Sequence, residues 1–383
     1  MSKKLLIEGW RGINHSYAMV NQYQLLALRE QSLQIFHNDL PFVSPEWNLK
    51  KNFCGFDEKA LSYLASIPGL AKEEQADIVY RISYPYRLRP SKAKKLYVFG
   101  TSEAQIITPD MIFGDGLKEN KDPDLKIITP SHWSKIGFLK AGFDEENIKV
   151  ISHGVDTSIF KPLESEIREQ YRSLLGANND TFLILSLGSM QKNKGVDVLL
   201  TAYIQLKSKY PQVKLVLKDQ SNLYGITANE IVNLYCKERG INPSAGEIQT
   251  ALAGIFCITK NLNLQELNGL YGAADCYVSP YRAEGFNLPP LEAAAAGTPI
   301  IVTKGGSTDD YADPSFALQI ESQIKTADGR TYLEPDSDSL IEQLTNVIEE
   351  KNLLIDQDGA LLFIEKNLTW KSVSKKLMEE FNL

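Results

Sequence analysis

The chain has 383 residues, of which 43% are hydrophobic and 23% charged, and its formal net charge at pH 7 is −7. This length and composition are typical of a soluble globular protein with more than one hydrophobic core, and two domains are the default expectation. The acidic balance excludes a broad nucleic-acid surface, so an anionic ligand would need a local concentration of hydrogen-bond donors.

Cysteine usage and apolar runs indicate the cellular compartment. The four cysteines lie apart without CxxC spacing and only four histidines occur, so neither a disulfide framework nor a zinc site is indicated. No run of about 18 apolar residues is present, and the N-terminal MSKKLLIEGW has only a short apolar stretch. We therefore expect a cytoplasmic protein in a reducing compartment.

The first half alternates short apolar runs with longer helix-like segments, a rhythm typical of βα units around a parallel sheet. Helices are predicted over residues 16–30, where apolar side chains keep helical spacing, and over residues 131–141, which begin at a serine suited to capping. The predicted strands are residues 4–7, 33–36, 77–82, 96–99, 126–129 and 148–151.

The second half restarts the same pattern after a polar segment. Its predicted strands are residues 182–187, 213–217, 254–257, 276–279 and 299–302. A boundary near residues 160–162 divides the chain into two doubly wound domains, residues 1–162 and 163–368. In the first domain, residues 86–95 are locally basic, which indicates a solvated loop or, alternatively, an anionic acceptor or a weak membrane-surface contact.

The stretch EGFNLPPLE, from Glu284 to Glu292, combines two carboxylates with a glycine-containing loop and a proline pair. A predicted strand ends just before it, and the prolines suit the first turn of a following helix. The loop therefore directs backbone N–H groups and a helix dipole out from the carboxyl edge of a parallel sheet, where phosphate binds. We expect Glu292 in the first helical turn, where the dipole favours its ionised form, and Glu284 at the strand end. Such carboxylates can clamp the hydroxyls of a ribose and a hexose.

Two carboxylates repel a diphosphate, so this site needs a cation. Lys194 is the candidate, because its turn follows the strand at residues 182–187 and precedes a predicted helix at residues 196–206. It would thus lie at the same edge of the sheet as Glu284. Acidic residues beside a helix start are also common caps, and it is the order of these residues within one domain that indicates a site.

These motifs resemble those of the retaining glycosyltransferases of family 4, which have the GT-B fold. The resemblance is carried by Glu284-x7-Glu292, by AAGTPIIV after it, by Lys194-Gly195, by SHGVDTSIFKP at residues 152–162 and by NLQELNGLYGAAD at residues 263–275. It covers residues 125–383 well and the first 120 residues in outline.

The resemblance implies an α/β fold of two Rossmann-like, doubly wound parallel-sheet domains that face a central cleft. The N-terminal domain would bind the acceptor and the C-terminal domain the nucleotide-sugar. It also implies that a terminal helix, about residues 369–383, packs back on the first domain, the alternative being a helix packed on the second domain alone. Trp370, Val373, Leu377 and Phe381 lie at helical spacing in that segment.

Roles for individual residues follow from the same resemblance. Glu284 would hold hydroxyls of the transferred sugar and Glu292 the ribose. Lys194 would neutralise the leaving diphosphate and so take the place of a metal ion. We therefore expect no metal and no cofactor besides the nucleotide-sugar. The other implied contacts are Gly285, Phe286, Asn287 and Leu288 for the sugar and diphosphate, Ile258 and Thr259 for the base, and Gly12, Asn14 and His15 in the first glycine-rich turn.

Two departures from the family pattern bear on the donor. Ser189 stands where the family often has arginine, so Lys192 or Lys218 would have to supply that cation. Residues 80–85 offer arginine and tyrosine where many relatives carry a histidine that contacts the donor sugar. His153 replaces a common asparagine in a turn and is a weaker candidate than His15 for contacting a substrate.

The predicted function is transfer of a sugar from a UDP- or GDP-sugar to a hydroxyl of a glycan, polysaccharide or glycolipid. The anomeric configuration would be retained and no metal used. Two alternatives stay open: a non-catalytic nucleotide-sugar-binding protein that keeps the fold, and a GT-B nucleotide-sugar epimerase. Epimerases of that type usually need histidines in the cleft, and this chain has four histidines in all.

Overall fold

The computed structural model describes residues 3–29, 31, 33–50, 54–114, 120–242, 245–349 and 357–383. The chain divides into two compact units, one formed by Met1–Gly154 with Leu368–Leu383 and the other by Val155–Asn367. The division falls after Gly154, whereas the sequence analysis placed it after residue 162. Among the described residues, no helix is both long and apolar enough to cross a membrane.

Unit 1 is built on a six-stranded parallel sheet with the strand order β2-β1-β3-β4-β5-β6. The strands are β1 (Lys4–Gly9), β2 (Gln34–Asp39), β3 (Ile78–Ile82), β4 (Lys95–Phe99), β5 (Leu125–Thr129) and β6 (Ile148–Val150). The helices of this unit are α1 (Ser16–Leu28), α2 (Glu58–Ser66), α3 (His132–Lys140) and α13 (Trp370–Phe381). The central strand β3 is buried along its whole length, as expected where helices cover both faces of a parallel sheet.

The terminal helix α13 packs inside unit 1 against α1 and the sheet. The ring of Trp370 stacks on Tyr23 with centroids 5.1 Å apart, and Phe381 lies 4.6 Å from the ring of Tyr97. Gly154 permits this packing, because a Cβ there would lie 2.3 Å from the backbone nitrogen of Trp370. The apolar stripe recognised in the sequence is therefore the buried face of α13.

Unit 2 contains a second six-stranded parallel sheet, with the order β12-β11-β10-β7-β8-β9. Its strands are β7 (Phe182–Gly188), β8 (Val213–Asp219), β9 (Ile255–Ile258), β10 (Cys276–Ser279), β11 (Ile300–Thr303) and β12 (Ala317–Ile320). The helices are α4 (Ser165–Leu174), α5 (Val196–Lys209), α6 (Ser221–Tyr224), α7 (Ala228–Glu238), α8 (Gly246–Ala253), α9 (Leu264–Ala273), α10 (Leu288–Ala295), α11 (Ser337–Glu349) and α12 (Gln357–Asn367).

An antiparallel hairpin of β13 (Ser322–Ala327) and β14 (Arg330–Pro335) follows this sheet. Sequence analysis found the other strands of unit 2 apart from β12 but missed this hairpin. The reason is physical: β13 is exposed along most of its length and carries no alternation of apolar and polar residues. The two parallel sheets confirm the predicted α/β, doubly wound class.

The basic segment at residues 86–95 makes its contacts within unit 1. Arg89 pairs with Asp122, and the ammonium of Lys92 donates to the carbonyl of Ala71 at 2.5 Å. The guanidinium of Arg87 lies over the ring of a neighbouring phenylalanine. These contacts account for much of the local charge, and a membrane-surface contact through this segment stays a prediction.

Candidate active site

Two loops of unit 2 meet at the carboxyl edge of its sheet. One follows β7 and carries Lys194, and the other follows β10, the neighbouring strand, and carries Glu284. The ammonium of Lys194 forms an ion pair with Oε1 of Glu284. The Glu284 side chain is 7% exposed and that of Lys194 25% exposed, so the pair is shielded from water but reachable from it. The structure thus brings together the two residues predicted to be catalytic.

Gly195 makes this approach possible. Its φ of 68° is left-handed, and a Cβ at this position would lie 1.8 Å from the carbonyl oxygen of Pro280 at the end of β10. Residues with a Cβ disfavour a left-handed φ, and a Cβ here would clash with Pro280. Only glycine therefore lets the turn lie directly against the strand end. Two further hydrogen bonds join the loops: Arg282 N–H donates to the carbonyl of Asn193 at 2.6 Å, and the Asn193 side chain donates to the carbonyl of Ala283 at 3.2 Å.

The loop after Glu284 is buried and held in an unusual backbone conformation. Gly285, Phe286 and Asn287 are buried, whereas Leu288, which begins α10, is half-buried. Asn287 has a left-handed φ of 68°, which asparagine tolerates better than most residues. Its side chain donates to a serine hydroxyl on β10 at 2.9 Å, and its carbonyl accepts from the hydroxyl of Tyr311 at 2.6 Å. These bonds hold the N-terminus of α10 beside the Lys194–Glu284 pair.

Glu292 differs from its prediction in position, and burial shifts its pKa. Because α10 begins at Leu288, Glu292 lies in the second turn of the helix and the first turn has no acidic residue. Burial raises the pKa of Glu292 to about 7, although the hydroxyl of Tyr271 donates to its Oε2 at 2.8 Å and acts in the opposite direction. The expectation that Glu292 lies in the first helical turn was therefore wrong, and burial has the largest influence on its pKa, since a dipole effect fades beyond the first turn.

This pKa predicts how Glu292→Gln changes stability with pH. The folded pKa of about 7 lies above the ordinary value of 4.5, so the native state holds the proton more tightly than the unfolded chain. The contribution of Glu292 is therefore complete below about pH 4.5 and is lost as pH rises through about 7, a change of about 3 kcal/mol. Urea unfolding should show that Glu292→Gln gains stability relative to the parent between about pH 5 and about pH 8.

The exposed Gln170→Ala is the control, because it removes no titratable group, and its stability difference from the parent should be nearly the same at both pH values. An equally constant difference for Glu292→Gln would contradict the raised pKa.

Two predicted base contacts, Ile258 and Thr259, and a predicted phosphate cation, Lys218, lie further along the same edge. Lys218 on β8 is opposite Ile258 on β9 and opposite the last residues of β7. Lys218 is buried, its ammonium donates to the carbonyl of Asp219, and burial lowers its pKa. Ile258 is half-buried and Thr259 is exposed just beyond the strand. These residues are separated from Glu284 by whole strands of the sheet, and their roles stay predictions.

Gly12, Asn14 and His15 lie in unit 1, in the turn between β1 and α1. Gly12 has a left-handed φ of 84°, and Asn14 is half-buried. His15 caps α1 by accepting a hydrogen bond on Nδ1 from the backbone N–H of Tyr17 at 3.2 Å, and its ring centroid lies 4.8 Å from that of Trp47. Burial lowers the pKa of His15 to about 4, so it is neutral at pH 7. Whether any of the three contacts a substrate stays a prediction.

His153 belongs to the core of unit 1. It is buried with its ring centroid 5.4 Å from that of Phe99 and 5.7 Å from that of Trp370. Burial lowers its pKa to about 3. A neutral imidazole between two aromatic rings is a packing residue, which agrees with the low expectation for it as a substrate contact.

The structure shows the state of the cations at the two departures from the family pattern. Ser189 is buried, and Lys192, three residues further along the chain, is exposed. In residues 80–85, the guanidinium of Arg81 pairs with Glu8 at 2.7 Å and donates to the carbonyl of Pro90 at 2.9 Å. The charge of Arg81 is therefore already paired within unit 1.

Sequence reasoning missed Tyr271 and Arg282. Tyr271 is the hydroxyl partner of Glu292 and lies on α9, within one of the stretches that carried the family resemblance. Arg282 precedes Glu284 by two residues and pairs with Asp197 and Glu334. The only sequence signal for Arg282 was its charge two positions before Glu284, because its partners Asp197 and Glu334 lie 85 and 52 residues away in the chain.

Among the residues that the structure describes, no group of three or more histidine, cysteine, aspartate or glutamate side chains is arranged to hold a metal ion. The absence of a metal requirement stays a prediction.

The sequence of unit 2 is similar to known proteins. Residues 167–356, which lie within unit 2, match the family model described as Glycosyl transferases group 1. The D-inositol 3-phosphate glycosyltransferase of Corynebacterium jeikeium (strain K411) is 32% identical over 172 residues, which are 44% of this chain and 38% of that protein. The mannosylfructose-phosphate synthase of Agrobacterium fabrum is 29% identical over 165 residues, 43% of this chain and 34% of that protein. The chain thus matches well under half the length of these two relatives.

Solved structures show the fold of the whole chain. A glycosyltransferase from Rickettsia africae ESF-5 superposes with a TM-score of 0.70 at 15% identity, covering 100% of this chain and 98% of that one. Anabaena HepE in complex with UDP-glucose superposes with a TM-score of 0.65 at 15% identity, covering 99% of each chain. The fold is therefore GT-B.

Proposed function

We propose that this protein is a retaining glycosyltransferase that moves a sugar from a nucleotide-sugar to an acceptor hydroxyl without a metal ion. The observation that carries the proposal is the shielded Lys194–Glu284 pair at the carboxyl edge of the unit 2 sheet, beside the N-terminus of α10. The group 1 domain at residues 167–356 supports it, and so do curated relatives that are named as glycosyltransferases.

In the proposed reaction, Lys194 stabilises the charge that develops on the leaving diphosphate. Such stabilisation in a shielded site is the largest electrostatic effect that the enzyme can supply. Without ligand, Glu284 balances the Lys194 charge, and with donor bound the same carboxylate accepts hydrogen bonds from hydroxyls of the transferred sugar. The donor phosphate takes the acceptor proton on the face from which it leaves, so the mechanism needs no separate base. Glu292 binds the ribose, and the amides of Phe286, Asn287 and Leu288 bind the sugar and diphosphate.

The donor is proposed to be a UDP- or GDP-sugar and the acceptor a glycan, polysaccharide or glycolipid hydroxyl. Anabaena HepE is described in complex with UDP and with UDP-glucose, which makes UDP-sugars the first donors to test.

The decisive experiment is incubation of the chain with a panel of UDP-, GDP- and ADP-sugars, followed by detection of free nucleotide and free sugar. Slow hydrolysis of one donor is the expected result. With an added alcohol as acceptor, NMR of the glycoside formed, which unlike the free sugar does not mutarotate, should show the donor's anomeric configuration. Interconversion of two nucleotide-sugars would instead identify an epimerase. Tight binding without either reaction would identify a non-catalytic binding protein. Lys194→Met should abolish the hydrolysis.

Turnover is expected to survive excess EDTA. The proposed cation for the leaving diphosphate is Lys194, and a covalently attached ammonium cannot be removed by a chelator. The measurement is the rate of donor hydrolysis before and after chelation, with a second sample supplemented with manganese or magnesium. Complete loss with EDTA that either ion restores would contradict the metal-free mechanism.

A further inference from the structure

Arg282 connects three segments of unit 2 around the proposed site. Its side chain is 9% exposed, and its Nη1 and Nη2 donate to the two carboxylate oxygens of Asp197 at 2.7 and 2.9 Å. Nη2 also donates to Glu334 at 2.7 Å. Asp197 lies in the first turn of α5, three residues after Lys194, and Glu334 lies on β14 of the hairpin. One guanidinium therefore holds two carboxylates that come from separate segments.

The backbone of residue 282 makes the same connections. Its N–H donates to the carbonyl of Asn193, next to Lys194, at 2.6 Å, and its carbonyl accepts from the N–H of Leu333 on β14 at 2.8 Å. The guanidinium donates in addition to the carbonyl of Lys192 at 3.1 Å. Arg282 thus binds the chain before Lys194, at Lys192 and Asn193, and after it, at Asp197.

The chemistry of this cluster suits an arginine. A guanidinium presents five N–H donors in a rigid plane and can serve two carboxylates and a carbonyl at once, whereas a lysine ammonium is a single flexible point charge. Burial would raise the pKa of Asp197, but its hydrogen bonds with Arg282 hold that pKa below its usual range. Without Arg282, two carboxylates would face each other beside the loop of Glu284.

We propose that Arg282 is a positioning residue that keeps Lys194 and Glu284 in their ion pair by tying the Lys194 turn and the Glu284 loop to the β13–β14 hairpin. The consequence for turnover rests on the proposed function, but the consequence for the reactivity of Lys194 does not.

The first test measures Lys194 directly and needs no substrate. The chain is labelled with trinitrobenzenesulfonate, and modification of Lys194 is followed by peptide mass spectrometry with the exposed Lys376 as internal reference. Arg282→Met should raise the labelling rate of Lys194 about tenfold, because a hydrogen-bonded ion pair that protects the amine is lost. The matched control is Arg172→Met: Arg172 is equally buried, pairs with Asp275 at the opposite end of β10, and should leave Lys194 labelling unchanged.

The second test measures coupling to Glu284. Arg282→Met should lower turnover by about 10²-fold, the size expected for a misplaced catalytic group. In a Glu284→Gln background the same change should cost clearly less than it does in the parent, because the part of the effect that acts through Glu284 is already lost and only the part that acts through Lys194 remains. Arg282→Lys should restore part of the loss. Arg172→Met should act equally in both backgrounds.

The outcomes separate this inference from the proposed function. A folded Arg282→Met with unchanged Lys194 labelling, or with full losses in both backgrounds, would overturn it. If Arg282→Met fails to fold, Glu334→Gln serves instead, because it leaves the pair between Arg282 and Asp197 intact. This variant should still raise the labelling rate of Lys194 several-fold, and an unchanged rate would overturn the inference. A parent chain that turns over no donor contradicts the proposed function, while the labelling still decides on Arg282.

Discussion

Glu284→Gln is expected to lower turnover by about 10²- to 10³-fold while leaving affinity for UDP unchanged or slightly raised. The carboxylate is buried and paired with Lys194. Glutamine keeps the shape of the side chain but loses the negative charge with which, in the proposed reaction, Glu284 accepts hydrogen bonds from hydroxyls of the transferred sugar. Lys194, released from its partner, remains able to meet the diphosphate. Donor hydrolysis rates give the first quantity, and calorimetric titration with UDP gives the second.

The matched control for this variant is Glu321→Gln. Glu321 also pairs with a lysine, Lys304, but both side chains are about half exposed or more, so turnover and UDP affinity should stay close to the parent values. If Glu284→Gln weakened UDP binding as much as it slowed turnover, the assignment of Glu284 to the sugar would be wrong.

Phe381→Ala is expected to lower the free energy of unfolding of unit 1 by about 3–5 kcal/mol. The ring is 1% exposed and lies between Tyr80 and Tyr97 of the sheet, with centroids 5.4 and 4.6 Å away. Alanine would leave a cavity that these rings cannot fill without leaving their own contacts. Removal of residues 369–383 should cost more, because Trp370, Val373 and Leu377 are buried on the same face of α13.

Urea unfolding, combined with hydrogen exchange on peptides of unit 1, measures this effect. The control is Lys376→Ala on the exposed face of α13, which should change stability by less than about 0.5 kcal/mol. A Phe381→Ala variant or a truncated chain that unfolds like the parent would show that α13 contributes little to unit 1.

Much of the fold follows from local sequence. Strands buried on both faces of a parallel sheet are continuous apolar runs, so β1 and β7, for example, could be located without tertiary information. The loop before α10 was equally predictable, because glycine permits backbone conformations that other residues avoid and the paired prolines fix φ at values suited to the first turn of a helix. The hairpin β13–β14 was not, because its exposed strand has no apolar pattern and depends on contacts such as that between Leu333 and the loop of Glu284.

The chemical states of the site could not be predicted in the same way. Glu292 was expected to be ionised because of its place near a helix start, whereas the surrounding unit buries it against Tyr271 and raises its pKa to about 7. Desolvation depends on every neighbour within several ångströms, and those neighbours come from distant parts of the chain. A dipole argument uses the helix alone and therefore missed the larger effect.

By itself, the sequence determined the doubly wound class of both units and the segments that carry Lys194, Glu284 and Glu292, because periodicity and turn residues act over short distances along the chain. Only the tertiary structure decided that Lys194 and Glu284, 90 residues apart, form an ion pair, and that Arg282 holds the segments around them. Ion pairs and burial arise between segments that the fold brings together, and their strength depends on distances of a few ångströms that no local pattern records.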